Sequence, residues 1–288
     1  MNDTELKQKI RSTIQAFKDS NVSESSLILF QALGYDTNRQ SPFSEKTYRF
    51  FKDSYESKME NFKEKKSFCG EWKYVDLLFQ ISEEEAKEIK AGRFNDKEFY
   101  SFLFFVIELS GVEYSRTTLS QITRELNKVF PMPVMVLFKY GQLLTLAVIN
   151  RRLHKQDEQK DVLEKVTLIK DISIGNPHRA HIEILFDLSF DELRRIHKFT
   201  NFVELHNAWQ KTLDTKELNK RFYQELFNWY LWALPQVKFP QIRPKKDMVI
   251  DKVHQSESLI RLLTRILFVW FMKSESKELS HSKFRLHR

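Results

Sequence analysis

Cysteine occurs once in the 288 residues, at Cys69, so no disulfide can form within the chain. A lone thiol fits a reducing compartment, and a cytoplasmic protein is expected. Cys69 itself reads as a small buried side chain, not a nucleophile. Glycine is scarce, 6 residues against 25 Phe, which argues against Gly-rich loops and for long helices with economical turns. No Gly-x-x-x-x-Gly-Lys-Ser/Thr is present, so the chain has no P-loop. A Gly-rich strand–turn–helix of the dinucleotide or adenosylmethionine type is also missing. Long apolar runs are lacking: Ile266–Met272 falls far short of the ~18 residues that span a bilayer. Arg261 and Arg265 beside it are costly in lipid, so this run reads as a buried helix and no membrane partner is expected. The polar opening Met1–Glu5 does not read as a signal peptide.

Hydrophobic residues make up 41% of the chain, enough for a real core. The formal net charge is +8. A surplus of that size suits a polyanion, and duplex DNA is the partner expected.

The segment from Pro131 to Leu188 is the most informative. Two apolar runs, Val134–Phe138 and Leu143–Ile149, flank Lys139-Tyr140-Gly141-Gln142 and read as strands buried on two faces. A dense charged stretch follows from Arg151 to Asp161. Further strands are expected at Trp72–Gln80, Phe99–Leu109 and Val162–Ile172. Helices are expected near Thr4–Asp19, Ser25–Leu33, Ser44–Lys66 and Ser115–Val129, and from Pro177 onward the pattern is helical throughout. The expected fold class is therefore α+β or α/β, a mixed-sheet core followed by an all-helical portion. The divisions are a helical segment 1–70, an α/β core 71–175, helices 176–234, a Pro-rich linker 235–255, and a last helix with polar tail 256–288. Phe222, Tyr223, Phe227, Trp229, Tyr230 and Trp232 are expected to pack the helical core.

Asp76 lies in one expected strand and Glu108 near the end of the next. A helix with Gln121 and Arg124 follows, then Val134–Phe138. This order resembles the PD-(D/E)xK nucleases, in which two acids hold Mg²⁺ and a Lys supports the developing charge. Asp76 and Glu108 are thus the candidate catalytic and metal-binding residues. The departures are plain: Ser110 stands at the Lys position, and Val75 rather than Pro precedes Asp76. A degenerate nuclease-like core is one expectation, with Lys139 as the substitute cation. Strand-end carboxylates paired with neighbouring Arg or Lys are the other. Arg116, Arg124, Lys139, Arg151, Arg152, Lys155 and Arg179 are the candidate DNA-binding residues. Asp157, Glu158, Asp161 and Glu164 compete for them through local ion pairs. His178 and His181 share a helical face, but no further ligand is near, and a capping or structural role is expected.

The wording VLFKYGQLLTLAVINRRLHKQDEQKDVLEKVTLIKDI, NPHRAHIEILFDLSFDEL and SLIRLLTRILFVWFMK resembles a bacterial family. It is similar to the amino-terminal region of fused type IIG restriction–modification proteins with an adenine-specific DNA methylase, over roughly Trp72 to Lys273. The resemblance implies DNA as partner and a role in phage defence. Adenosylmethionine belongs to the methylase part. Here Asn176-Pro177 is followed by His178 and Arg179, not by Pro and an aromatic, so the methylase tetrad is missing. The tail SESKELSHSKFRLHR does not resemble the family's continuation, as expected of a truncated or frameshifted product or a separately encoded subunit. The expected function is a DNA-associated module without methylase activity of its own and with no cofactor. One alternative is an active Mg²⁺-dependent endonuclease. Another is a helical scaffold that docks a separate methylase subunit through Phe199–Lys273.

Overall fold

The apolar runs of the first two-thirds of the chain pair into one sheet. A computed structural model describes residues 2–83, 101–130, 132–150, 165–240 and 252–283. Its strands are β1 (Trp72–Ser82), β2 (Ser101–Leu109), β3 (Val134–Tyr140), β4 (Leu143–Asn150) and β5 (Lys165–Ser173), in that order across the sheet. β2 and β3 are parallel, and the other neighbours are antiparallel. Parallel neighbours need a crossover, and α5 (Arg116–Lys128) lies between them in the chain. The fold is mixed α+β.

Each strand alternates its side chains between two separate cores. Phe79, Phe104, Leu137 and Leu146 face one core, with Ile10, Phe30, Leu185 and Trp209. These last belong to α1 (Asp3–Ala16), α2 (Val22–Ala32), α6 (Arg179–Asp187) and α8 (Phe202–Thr212). α7 (Phe190–His197) adds Leu193 to the same core. Leu77, Phe105, Val136 and Ile149 face the other, with Phe51, Leu119 and Ile122. Those come from α3 (Tyr48–Tyr55) and α5. Burial on both faces explains the near-continuous apolar runs.

Local signals set the helix ends. Asn2 and Glu5 form a capping box on α1, and Ser115 Oγ accepts from Thr118 N at 3.0 Å on α5. His178 caps α6, its Nδ1 accepting from Ala180 N at 3.1 Å. Gly34, at φ 83°, follows the end of α2 in the left-handed conformation.

Ser44–Lys66 does not form one helix. α3 is followed by a 3₁₀ turn, and a short α4 (Glu64–Ser67) comes after a break. The reason is aromatic packing. A straight helix would set Phe51 and Phe62 about 16 Å apart along its axis, whereas their rings lie 6.3 Å apart in one core.

The chain divides into two units, Met1–Asp214 and Thr215–Arg288. The second holds α9 (Thr215–Ala233) and α10 (Lys252–Lys283). Tyr230 Oη and Ser256 Oγ are hydrogen bonded at 2.5 Å, and Gln255 exchanges two hydrogen bonds with the Phe239 backbone. Phe222, Tyr223, Phe227, Trp229 and Trp232 do not pack a core but are exposed. So are Ile266, Phe268, Val269, Trp270 and Met272, which the sequence places in a buried helix. α10 carries apolar residues all round, more than one neighbouring helix covers. Among the described residues no helix is long and apolar enough to cross a membrane.

Candidate functional site

The register of β1 and β2 sets Tyr74 opposite Glu108 and Asp76 opposite Val106. Asp76 and Glu108 therefore share one face of the sheet as diagonal neighbours, a relationship worth about 7–8 Å. Their side chains are engaged in different directions. Asp76 Oδ1 accepts from the Phe43 amide at 2.9 Å, and Oδ2 accepts from Ser23 Oγ at 2.6 Å. Lys46 Nζ lies 2.9 Å from Oδ2, and the carboxylate is 3% exposed. Tyr74 Oη donates to Ser23 Oγ at 2.8 Å behind this group. Asp76 thus ties α2 and the 39–46 loop to β1.

That loop lies along the outer edge of β1, where Arg39 O and Lys46 O accept from Gln80 N at 2.9 Å and Val75 N at 3.0 Å. Glu108 faces the next strand instead. It stands directly opposite Lys139 in the parallel pair, with Lys139 Nζ at 3.0 Å. Ser110, at the position of the nuclease Lys, donates its amide to Glu71 O at 2.9 Å. Among the described residues no group of three or more His, Cys, Asp or Glu side chains is placed to hold a metal ion.

The candidate cations are spread over the sheet unit. Arg116 and Arg124 are exposed on α5, the helix over the second core. Arg179 opens α6 over the first core and lies 3.6 Å from Glu183, which also meets Lys7 at 2.6 Å. Lys139 is the candidate that meets a candidate acid, Glu108. Arg151, Arg152 and Lys155 lie outside the described residues.

The chain matches no protein-family model, no curated protein and no solved structure.

Two polar features escape the motif search. One is a network where β3, β4 and β5 meet. Tyr140 Oη donates to Asp171 Oδ1 at 2.8 Å and is hydrogen bonded to Thr145 Oγ1 at 2.6 Å. Thr145 Oγ1 also accepts from the Asp171 amide at 3.1 Å. Asp171 has φ 61°, beside a register shift between β4 and β5. An Asp, a residue depleted in strands, among Val166, Thr167, Ile169 and Ile172 is the sequence signal of such an irregularity. Burial pushes the Tyr140 hydroxyl well above the ordinary tyrosine range, with Asp171 adding to the rise. His181 is held below the usual histidine value by burial first and by His178 second, while Asp171 opposes both.

The other feature is a cavity of about 290 Å³ between β4–β5 and α8. Trp209 and Leu213 supply apolar lining, and Lys165, His206, Gln210 and Asp214 supply polar lining. Trp209 is fixed from behind, its Nε1 donating to Tyr35 Oη at 2.8 Å. No residue spacing announces this cavity, because its walls come from segments far apart in the chain. Cys69 is buried, and burial raises its thiol above the ordinary value. It stays protonated and poorly nucleophilic.

Proposed function

We propose that this protein is a DNA-associated, non-catalytic module of a restriction–modification assembly, built on a degenerate nuclease-like core. One observation carries the non-catalytic part. Asp76 is 3% exposed and accepts from Ser23, Lys46 and the Phe43 amide. A metal-binding carboxylate needs lone pairs directed at an open site. The strand–strand–helix–strand order β1-β2-α5-β3 supports the nuclease-like description, and Ser110 supports its being degenerate. The net charge of +8, the exposed Arg116 and Arg124, and the type IIG resemblance support DNA as the partner. Adenosylmethionine chemistry would reside in another polypeptide or another part of the assembly.

The test is retention on immobilised duplex DNA at rising salt, with Mg²⁺ present in a parallel sample. Retention that weakens steeply with salt, on intact DNA, is expected. No retention at low salt would falsify the DNA reading. Mg²⁺-dependent cleavage that disappears in Asp76→Asn would establish the endonuclease alternative.

A second reading concerns the helical portion, which serves as a docking element. The observation favouring it is the set of large apolar side chains exposed along α9 and α10.

A further inference from the structure

We infer that the solvent face of α5 is the surface that grips duplex DNA, and that it holds the phosphate backbone and not the bases. The inference rests on the DNA reading above and names the contact surface and what it touches.

The first argument is what α5 leaves outside the core. At about 100° per residue, Arg116, Thr117, Ser120, Gln121, Arg124 and Lys128 fall within one arc of about 140°. Arg116, Thr117, Arg124 and Lys128 are exposed, and Ser120 and Gln121 are half-buried. Each is a cation or a neutral hydrogen-bond donor. Leu119, Ile122 and Leu126 point the other way, into the core. A rise of about 1.5 Å per residue carries the row from Arg116 to Lys128 over about 18 Å, several phosphate steps of a B-form strand.

The second argument is that no acid interrupts this face. The one acid of α5, Glu125, has a side chain only 6% exposed. Its Oε2 accepts from the Lys63 amide at 2.9 Å and its Oε1 from Lys128 Nζ at 2.8 Å. By contrast, Arg49, Arg179 and Arg195 each have an acid about one turn away on their own helix: Asp53, Glu183 and Glu192. The bond to Lys63 also sets α4 beside α5, and α4 adds exposed Lys65 and Lys66. The acid of α4, Glu64, is paired with Lys52 at 2.7 Å. The exposed acids Glu60 and Glu113 lie before α4 and before the cap of α5.

The third argument selects the partner. Single strands are held by stacking bases on aromatic side chains, and α5 carries no aromatic residue. A duplex hides the faces of its bases and presents phosphates, which Arg, Lys, Ser, Thr and Gln all contact. A major groove about 12 Å wide admits one helix with its side chains. With α4 flanking it on the Glu125 side, α5 meets the backbone and does not enter the groove.

The experiment is fluorescence anisotropy of the full chain with two labelled duplexes of unrelated sequence and one single strand, over a salt series. The duplexes are expected to bind alike and more tightly than the single strand. The double variant Arg116→Ala, Arg124→Ala is expected to lower the slope of log affinity against log salt by about 1.8, two contacts of about 0.9 each. Gln121→Glu puts an acid into the arc and removes no cation, and it is expected to weaken duplex binding about fivefold at low salt. Arg179→Ala, on a different helix and beside Glu183, is expected to leave the slope unchanged. An unaltered slope in the double variant, or wild-type affinity in Gln121→Glu, overturns the inference and leaves the DNA reading standing. Should the double variant lose its circular dichroism, Gln121→Glu decides alone. Tighter binding to the single strand, or to one duplex over the other, overturns the backbone assignment. Absence of binding to both duplexes overturns the inference and the DNA reading together.

Discussion

Lys46 and Asp76 are joined across the outer edge of the sheet, Nζ to Oδ2 at 2.9 Å. The acid is 3% exposed and the lysine 28%. Asp76→Ala strands the Phe43 amide and leaves Lys46 without its carboxylate. Losing one partner of a buried pair costs about 3–5 kcal/mol, and the partial exposure of Lys46 sets the expectation near the lower end, about 3 kcal/mol. Urea denaturation measures it. A loss under ~1 kcal/mol would show that Asp76 does not hold the loop to β1.

Glu108 and Lys139 form a weaker link. Their side chains are 26% and 17% exposed. A double-mutant cycle with Glu108→Gln and Lys139→Met is expected to give a coupling of about 0.5–1 kcal/mol that shrinks in high salt. A coupling above ~2 kcal/mol would contradict this partly solvated pair.

Stability should fall as solutions turn mildly acidic. His181 and His197 both sit below the ordinary histidine value. Burial is the largest cause in each, with His178 beside the first and Lys211 beside the second. The unfolded chain takes up these protons near pH ~6.5, before the folded chain does. The contribution is fully present above that value and is lost as pH drops from ~6.5 through the lower folded values. His181→Gln is expected to flatten the dependence of unfolding free energy on pH in this window. An unchanged slope would exclude His181 as a source.

Asp171 should tolerate Asn and reject Val. Its φ of 61° suits Asn, Asp and Gly, and a β-branched residue there is strained. Asp171→Val also removes the acceptor of the Tyr140 hydroxyl. A loss of about 2–3 kcal/mol is expected for Val and under ~1 kcal/mol for Asn, both read by urea denaturation. Equal losses would mean that the backbone conformation is not the constraint.

Arg116→Ala and Arg124→Ala should each lower the steepness of the salt dependence of DNA retention. A phosphate contact contributes about 0.9 to the slope of log affinity against log salt. A variant that leaves the slope unchanged does not contact phosphate.

Element types in the sheet unit were legible because both of its faces are buried. Val134–Tyr140 and Leu143–Asn150 carry apolar residues at nearly every position, as strands between two cores require. The stretch from Ser44 to Lys66 misled because its charges suit a helix. What breaks it is the distant demand that Phe51 and Phe62 meet near Trp72. The aromatic residues of α9 misled for the opposite reason. Composition calls for their burial, but burial needs a surface that α10 does not supply. As for the candidate site, sequence order located Asp76 and Glu108 on adjacent strands. It could not reveal that Ser23, Phe43 and Lys46, from earlier segments, converge on Asp76. Nor could it reveal the cavity beside His206, whose walls join residues some sixty positions apart.

The loop along β1 has a consequence for how copies of this chain can meet. An unpaired strand edge is a template for runaway sheet growth. At β1 the amides of Val75 and Gln80 are already bonded to Lys46 and Arg39. At β5 the guards are Lys165, Lys170 and the kink at Asp171. Both margins of the sheet are defended against edge-to-edge growth.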